Sequence, residues 1–482
     1  MGIHFTPHNA VLADVIPFFW EGTYHLFYLK GPGDQTGWPR WQTPWAHLVS
    51  TDLIHWREIE IAIPRGLGDA PDGGACFTGS VCEHAGTFHI FYVGYHPGHP
   101  DGREQIMHAV SPDLIHWSKV PGPTFRPDPR WYEPGNDWRD PFVFRRPQGD
   151  FGMLITASLA RPVGILNRGC IGLATSPDLY RWTAQPPFYA PDTYGNMECS
   201  DLFELDGRWY LIFSSGYTEY RMAEQMAGPY RAPRRPVFDD GGFYFYAAKT
   251  LWDGRRRLLF GWAGDTEGGK DSASPRWGGT LCTPRELVAD ADGELMTRCP
   301  SEVLAAFARP VLGRHNLDHG KVWAGQWSIA DDRVRGERLD GWGVQTWPIS
   351  TETCCVQVTI TPHTPYGRCG LLLRAAADLS AYYAVVVDPG RGELIIERMV
   401  PHLSPMGGAW PSQPKVLGRR PIAIEVGHPL LCQAIVSDGL LEVFTDQREV
   451  LTVRLCDLAD GQFGLFAQEG RADFANLTVS AL

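Results

Sequence analysis

The sequence has no long apolar run, no cluster of basic residues and no paired cysteine motif. No apolar stretch approaches the roughly 20 residues that a membrane-spanning helix requires. Lys plus Arg number 43 against 55 Asp plus Glu, a net charge of −12, which argues against binding to nucleic acid or to an anionic membrane. The N-terminus shows no secretory signal, and the 11 cysteines lack zinc-site spacing, so we expect a cytoplasmic protein with reduced thiols and no metal.

Aromatic residues, glycine and proline are abundant instead. The chain of 482 residues contains 18 Trp, 53 Gly and 39 Pro. This composition favours a β-rich protein with many turns. Trp and Tyr also suit sugar binding, because their flat apolar faces stack on sugar rings. Composition alone does not choose between these two interpretations.

Two repeats alternate along the first 290 residues. The motif Ser-x-Asp-Leu-x-x-Trp starts at Ser50, Ser111 and Ser176. Between its copies lie apolar hairpins, which turn at Glu21-Gly22, Ala85-Gly86, Gly149, Asp206-Gly207 and Asp253-Gly254. Five such hairpins with further strands between them are typical of the blades of a β-propeller. The alternative is a β-sandwich or a set of unrelated hairpins.

The repeats stop near residue 290, and alternating strand patterns resume near residue 320. This change predicts a second domain of the β-sandwich type. We therefore predict an all-β fold, a five-bladed β-propeller followed by a C-terminal β-sandwich. The predicted boundaries are 1–295 for the propeller, 296–318 for a linker and 319–482 for the sandwich.

Three acidic residues stand at the starts of predicted first strands, which line the axis of a propeller. They are Asp14, Asp140 and Glu198. Residues at this position in different blades converge on one funnel although they are far apart in sequence. Glycoside cleavage uses such carboxylates, one to attack or to activate water and one to protonate the leaving oxygen. Mutual repulsion raises the pKa of one of them and keeps it protonated.

The same segments resemble glycoside hydrolase family 32, which is related to family 68 and more distantly to families 43 and 62. The resemblance rests on Arg139-Asp140-Pro141, on Glu198-Cys199 followed by Asp201-Leu202-Phe203, and on Phe77-Thr78-Gly79-Ser80. It implies a retaining enzyme that needs no cofactor, with Asp14 as nucleophile and Glu198 as general acid/base. Asp140 and Arg139 would hold sugar hydroxyls and stabilise the transition state.

Further side chains are candidates for contacts with a sugar, and packing within or between blades is the alternative for His47, Phe77, Tyr246 and Trp277. We expect the substrate to contact Trp45, His47, Phe77, Ser80, Arg139, Tyr246 and Trp277. The sandwich could bind sugar, form a homo-oligomer contact or brace the propeller. Bracing ranks first, because no clustered aromatic face stands out there.

The sequence departs from the family pattern around the nucleophile. Ala13 replaces an Asn, Leu29 replaces a Gln, and one residue is missing after Asp14. Losing two hydrogen-bonding amides should change the substrate preference. We predict a glycosidase that cleaves a terminal furanoside of the β-fructofuranoside type. The alternatives are an arabinofuranosidase, an inverting family 43-like enzyme and a non-catalytic carbohydrate-binding propeller.

Overall fold

The computed structural model describes residues 3–33, 40–122, 125–162, 164, 166–399, 402–403, 409–410, 414–445 and 449–482. The chain is built almost wholly of antiparallel strands, and Ser301–Ala306 forms a short helix, α1. Within these ranges, four sheets form the first part of the molecule, and a 13-stranded sheet and a two-stranded sheet form the second. None of the helices in these ranges is long and apolar enough to cross a membrane.

Each of the first three blades has four strands in meander order. Blade 1 consists of β1 (Ala10–Trp20), β2 (Thr23–Pro32), β3 (Trp45–Ser50) and β4 (Arg57–Glu58). Blade 2 consists of β5 (Ala75–His84), β6 (Thr87–Tyr95), β7 (Glu104–Ser111) and β8 (Ser118–Lys119). Blade 3 consists of β9 (Trp138–Arg145), β10 (Phe151–Ser158), β11 (Gly169–Ser176) and β12 (Thr183–Tyr189).

The last two blades close the ring. Blade 4 consists of β13 (Glu198–Leu205), β14 (Arg208–Ser214) and β15 (Thr218–Ala223). Blade 5 consists of β16 (Tyr246–Trp252), β17 (Arg257–Thr266), β18 (Pro275–Leu281), β19 (Arg285–Ala289) and β20 (Leu295–Arg298). The innermost strands β1, β5, β9, β13 and β16 each contact the next, and β16 contacts β1. Strand β18 also pairs with β1, so blade 5 is hydrogen-bonded to blade 1 and the predicted five-bladed propeller is confirmed.

The Ser-x-Asp-Leu-x-x-Trp motif forms the turn after the third strand in blades 1, 2 and 3. In blade 1 the Ser50 hydroxyl accepts the Leu53 N–H at 3.0 Å, and Asp52 Oδ1 accepts the His55 N–H at 2.8 Å. Leu53 takes a left-handed φ of +68°, and the Trp56 indole donates to its carbonyl at 3.1 Å. The motif is therefore a structural turn that the side chains of its own residues close.

The innermost strands share an irregularity at the same level of the axis. The pairing register shifts at Asp14 in β1, at Phe77–Gly79 in β5, at Asp140 in β9, at Cys199 in β13 and at Ala247 in β16. Asp14, Asp140, Cys199 and Ala247 have left-handed φ values between +42° and +57°. Such β-bulges re-aim side chains, and here they surround the axis.

A β-sandwich follows the propeller, as predicted. Its strands are β21 (Arg309–Leu312), β22 (Lys321–Ala324), β23 (Gln326–Ala330), β24 (Arg333–Ser350), β25 (Cys354–Pro362), β26 (Arg368–Ala375), β27 (Tyr382–Asp388), β28 (Glu393–Met399), β29 (His402–Leu403), β30 (Ala409–Trp410), β31 (Lys415–Pro421), β32 (Leu430–Ser437), β33 (Leu440–Thr445), β34 (Glu449–Arg454) and β35 (Gln462–Ala481). Strand β35 pairs with β26 through its first half and with β25 through its second, so it joins the two layers. Between residues 296 and 318 the chain completes β20, forms α1 and enters β21, which pairs with β35.

Buried ionic contacts fix the sandwich on the propeller. The guanidinium of Arg285 donates to Asp239 Oδ2 at 2.6 Å, and the Thr452 hydroxyl of the sandwich donates to the same oxygen at 2.7 Å. His4 Nε2 lies 2.8 Å from Oε2 of Glu442 in the sandwich. The side chains of His4, Glu442, Arg285 and Asp239 are fully buried. Buried groups of this kind need their partners in place, so the network ties the two domains together.

Candidate active site

A cavity of about 360 Å³ opens where the bulges of the innermost strands meet. It is lined by Asp14, Leu29, Trp41, Phe77, Glu104, Arg139, Asp140, Glu198, Cys199, Phe243, Tyr246 and Trp277. The three carboxylates predicted from sequence therefore lie together. Arg139, Phe77, Tyr246 and Trp277, four of the seven residues expected to contact the substrate, line the same cavity.

Asp14 comes from the bulge of blade 1 and projects into the cavity. The indole N–H of Trp262 donates to its Oδ1 at 3.2 Å. Burial, together with the nearby carboxylates of Asp140 and Glu198, raises the pKa of Asp14 to about 8. The Trp262 hydrogen bond and the charge of Lys249 act in the opposite direction.

Asp140 comes from the bulge of blade 3 and is only 3% exposed. Its Oδ2 accepts the Thr156 hydroxyl at 3.0 Å and the backbone N–H of Cys199 at 3.0 Å. Burial raises the pKa of Asp140 to about 6, while the charge of Arg139 lowers it. Burial also raises the pKa of the Cys199 thiol well above its usual value, so Cys199 is a buried small residue and not a thiolate.

Glu198 opens the first strand of blade 4, and its side chain is 27% exposed. The Arg139 guanidinium donates to Oε1 at 2.8 Å, and the Tyr246 hydroxyl donates to Oε2 at 2.9 Å. The Asn196 amide also donates to Oε1, at 3.3 Å. Three donors from three neighbouring segments therefore orient this carboxyl group.

Arg139 is the cationic centre of the site. Besides Glu198 it pairs with Asp137, and it lies 3.5 Å from Glu104 Oε2 and 3.8 Å from Asp140 Oδ2. Burial opposes its charged form, but these four carboxylates hold the pKa of the guanidinium well above its usual value. One arginine thus links the carboxylates of blades 2, 3 and 4.

Carboxyl groups this close cannot all ionise independently. Because the pKa values of Asp14 and Asp140 are both raised, the cluster retains a proton near neutral pH. A site with one retained proton and one available carboxylate has the two functions that glycoside cleavage requires.

Aromatic rings form the wall above the carboxylates. Phe243 stacks on Tyr246 with ring centroids 4.4 Å apart, and Trp277 packs against Trp262 at 6.1 Å. Leu29 adds an aliphatic patch to the wall. Flat apolar surfaces beside clustered carboxylates suit the C–H faces and hydroxyl groups of a sugar.

Three residues that the sequence predicts for the wall do not line this cavity. Trp45 and His47 belong to β3, the third strand of blade 1, where His47 packs within the blade and Trp45 packs between blades 1 and 2. Trp45 is fully buried and donates to the Phe77 carbonyl at 2.8 Å, while His47 Nε2 lies 3.0 Å from His25 Nδ1. Ser80 is on the innermost strand of blade 2 but below the cavity, where its hydroxyl accepts the Val143 N–H at 2.9 Å.

Sequence reasoning missed Trp41, Glu104 and Phe243. Trp41 lies before the third strand of blade 1, Glu104 is the first residue of β7, and Phe243 lies in a short 3-10 turn, Gly242–Tyr244, before β16. Trp41 and Phe243 therefore come from connections between strands, and Glu104 comes from the start of a third strand. No local pattern marks them, although aromatics just before a predicted first strand would have been a usable signal for Phe243.

Comparisons with known proteins agree with this geometry. The family model described as glycosyl hydrolases family 32 N-terminal domain matches residues 4–299. "Beta-fructofuranosidase, insoluble isoenzyme 2" of Oryza sativa subsp. indica is 29% identical over 398 residues, which cover 72% of this chain and 60% of that protein. "Fructan 1-exohydrolase" of Hordeum vulgare is 29% identical over 362 residues, 66% of this chain and 57% of that protein. The chain thus spans less than two thirds of these curated relatives.

Solved structures share the fold along nearly the whole chain. Exo-inulinase from Aspergillus awamori superposes with a TM-score of 0.72 at 19% identity, covering 99% of this chain and 98% of that chain. Fructan 1-exohydrolase IIa from Cichorium intybus gives a TM-score of 0.70 at 18% identity, covering 100% and 97%. At sequence identities of 18% and 19%, these superpositions show a shared fold and nothing more.

Proposed function

The chain belongs to glycosyl hydrolase family 32, and from that premise we propose that it hydrolyses a terminal β-fructofuranoside with retention of configuration. The observation that carries the proposal is the convergence of Asp14, Asp140 and Glu198 on one aromatic-walled cavity. The printed names of its relatives, β-fructofuranosidases and a fructan 1-exohydrolase, support a fructoside as the substrate.

The proposed reaction has two displacement steps. In the reactive form the proton that the carboxylate cluster retains is on Glu198, and Asp14 is ionised. In the first step the Asp14 carboxylate attacks the anomeric carbon, the glycosidic C–O bond breaks, and Glu198 gives its proton to the leaving oxygen. In the second, Glu198 removes a proton from water, the water oxygen attacks the same carbon, and the bond to Asp14 breaks. Each step inverts the carbon, so the product keeps the original configuration.

Asp140 and Arg139 have supporting roles in this proposal. Asp140 accepts two hydrogen bonds on Oδ2, and its other oxygen remains available for sugar hydroxyls. Arg139 bridges Asp140 and Glu198, which keeps their spacing. The chemistry uses these side chains and water.

The cavity wall supports an altered preference among fructosides. Leu29 lines the cavity and Ala13 is buried beside Asp14, so neither can hydrogen-bond a hydroxyl. A site that lacks such partners discriminates less strongly between sugars that differ by one hydroxyl.

The test is product release from sucrose, inulin and levan oligosaccharides and aryl arabinofuranosides, with Glu198→Gln as the matched blank. This variant keeps the shape of the side chain and removes the acid. We expect fructose release by the wild-type protein and its loss in the variant. Release of arabinose alone, or fructose release that Glu198→Gln does not change, would contradict the proposal.

A further inference from the structure

The proposed mechanism gives no role to Lys249, a buried cation near the carboxylate cluster. Lys249 lies on the innermost strand of blade 5 and is 2% exposed. Its ammonium group donates to the Ser200 carbonyl at 2.9 Å and lies 5.3 Å from the centre of the Phe142 ring. Among the described residues, no carboxylate forms an ion pair with it within 4.0 Å. A buried ammonium without such a pair is costly, so its retention calls for a function.

The bond to Ser200 places Lys249 at the bulge that carries the acid/base candidate. Glu198 and Cys199 form this bulge, and the Cys199 N–H donates to Asp140. On one side of the bulge the Thr156 hydroxyl donates to the Met197 carbonyl at 2.8 Å. On the other side Lys249 holds the Ser200 carbonyl. The two donors clamp the backbone on both sides of Glu198 and Cys199.

The charge of Lys249 also acts on the carboxylates. It lowers the pKa of both Asp14 and Asp140, against burial and against the repulsion from Glu198. Arg139 is in direct contact with Asp140 and Glu198. Lys249 approaches the same cluster from blade 5.

We propose that Lys249 is a positioning residue of the site, which holds the Glu198–Cys199 bulge in place and supplies a positive charge beside Asp14 and Asp140. This inference rests on the proposed glycosidase function. The charge of Lys249 acts on Asp14 of β1, Asp140 of β9 and Cys199 of β13. Arg257 of β17 lines a cavity together with Lys249, and Asp201 of β13 accepts the N–H of the adjacent Thr250. Arg139 and Glu198 contact the same carboxylate cluster.

The first test is the pH profile of kcat/KM for Lys249→Met, with Lys249→Arg and Arg257→Met as controls. Arg257 is a second cation of blade 5, but it bonds to Thr250 and stacks on Phe203. We expect Lys249→Met to move the acidic limb upward by about one pH unit or more, while both controls leave it in place. An activity loss that is uniform across pH would show a merely structural role and overturn the proposal.

The second test needs no turnover. Because Lys249 favours ionised carboxylates in the folded state, the melting-temperature difference between wild type and Lys249→Met should widen as pH rises from 5 to 9 and shrink as pH falls. A difference that stays constant with pH would overturn the inference. If the wild-type protein released no sugar, the proposed function would fail, and this second measurement would still decide the role of Lys249.

Discussion

Replacing Arg139 with methionine removes the cation that four carboxylates share. The Arg139 side chain is 12% exposed and contacts Glu104, Asp137, Asp140 and Glu198. Removal of one member of a buried ion pair typically costs about 3–5 kcal/mol, because the remaining charge is left uncompensated. We expect Arg139→Met to lose about this much free energy of unfolding at pH 8.

The free energy of unfolding that Arg139→Met loses should increase with pH. Burial opposes the ionisation of Asp137, but Arg139 and its hydrogen bonds hold the pKa of this carboxyl below its usual value. Its stabilisation is therefore present at neutral pH and is lost as pH falls through the folded-state pKa. Without Arg139 the carboxylates take up protons more readily, so we expect a smaller loss at pH 5 than at pH 8.

Urea unfolding followed by tryptophan fluorescence at both pH values measures this difference. Arg139→Lys is the control, since one ammonium replaces the charge but not the bidentate contacts of the guanidinium. Its free energy of unfolding should lie between those of the wild type and Arg139→Met. Equal losses at pH 5 and pH 8 would refute the account of Arg139 as a charge-balancing centre.

Three further predictions follow from individual contacts. Tyr246→Phe removes a hydrogen bond to Glu198 worth about 1.5–3 kcal/mol, so kcat/KM should fall by about 10–100-fold; unchanged kinetics would contradict this. Burial lowers the pKa of His25 to about 4 and of His47 to about 3. As pH falls, the unfolded chain therefore takes up protons at these histidines before the folded protein does. The melting temperature should fall as pH drops from about 6.5 to 4, and it should fall less steeply for His47→Gln than for the wild type. Parallel curves of melting temperature against pH for the two proteins would contradict this prediction. Leu29→Gln adds an amide to the cavity wall, so KM for a fructoside should fall several-fold, and an equal or higher KM would argue against a sugar at this wall.

The carboxylate cluster could be predicted because it follows from strand order. In a propeller the first strand of every blade faces the axis, so hairpin counting alone brings Asp14, Asp140 and Glu198 together. What the sequence could not show is that a bulge in each innermost strand turns these side chains inward.

The wall residues were harder to predict, for reasons of register and topology. Trp45 and His47 are on the third strand of blade 1, two strands further from the axis than the innermost strand. The aromatic character of a residue does not reveal which strand of the blade carries it. The bulge after Phe77 interrupts the alternation of faces, so Phe77 lines the cavity while Ser80 packs below it. Trp41 and Phe243 come from connections between strands, whose paths depend on the whole ring.

The central claim is that Asp14 becomes covalently bonded to the sugar. An aryl fructoside has a leaving group that departs with little help from an acid, so Glu198→Gln should still form the glycosyl-enzyme but hydrolyse it slowly. Intact mass spectrometry of this variant after rapid acid quenching, followed by peptide mapping, measures the adduct directly. The account predicts a mass increase of one fructosyl unit on the peptide that contains Asp14. Release of the aryl group with no adduct, or an adduct on another peptide, would contradict it.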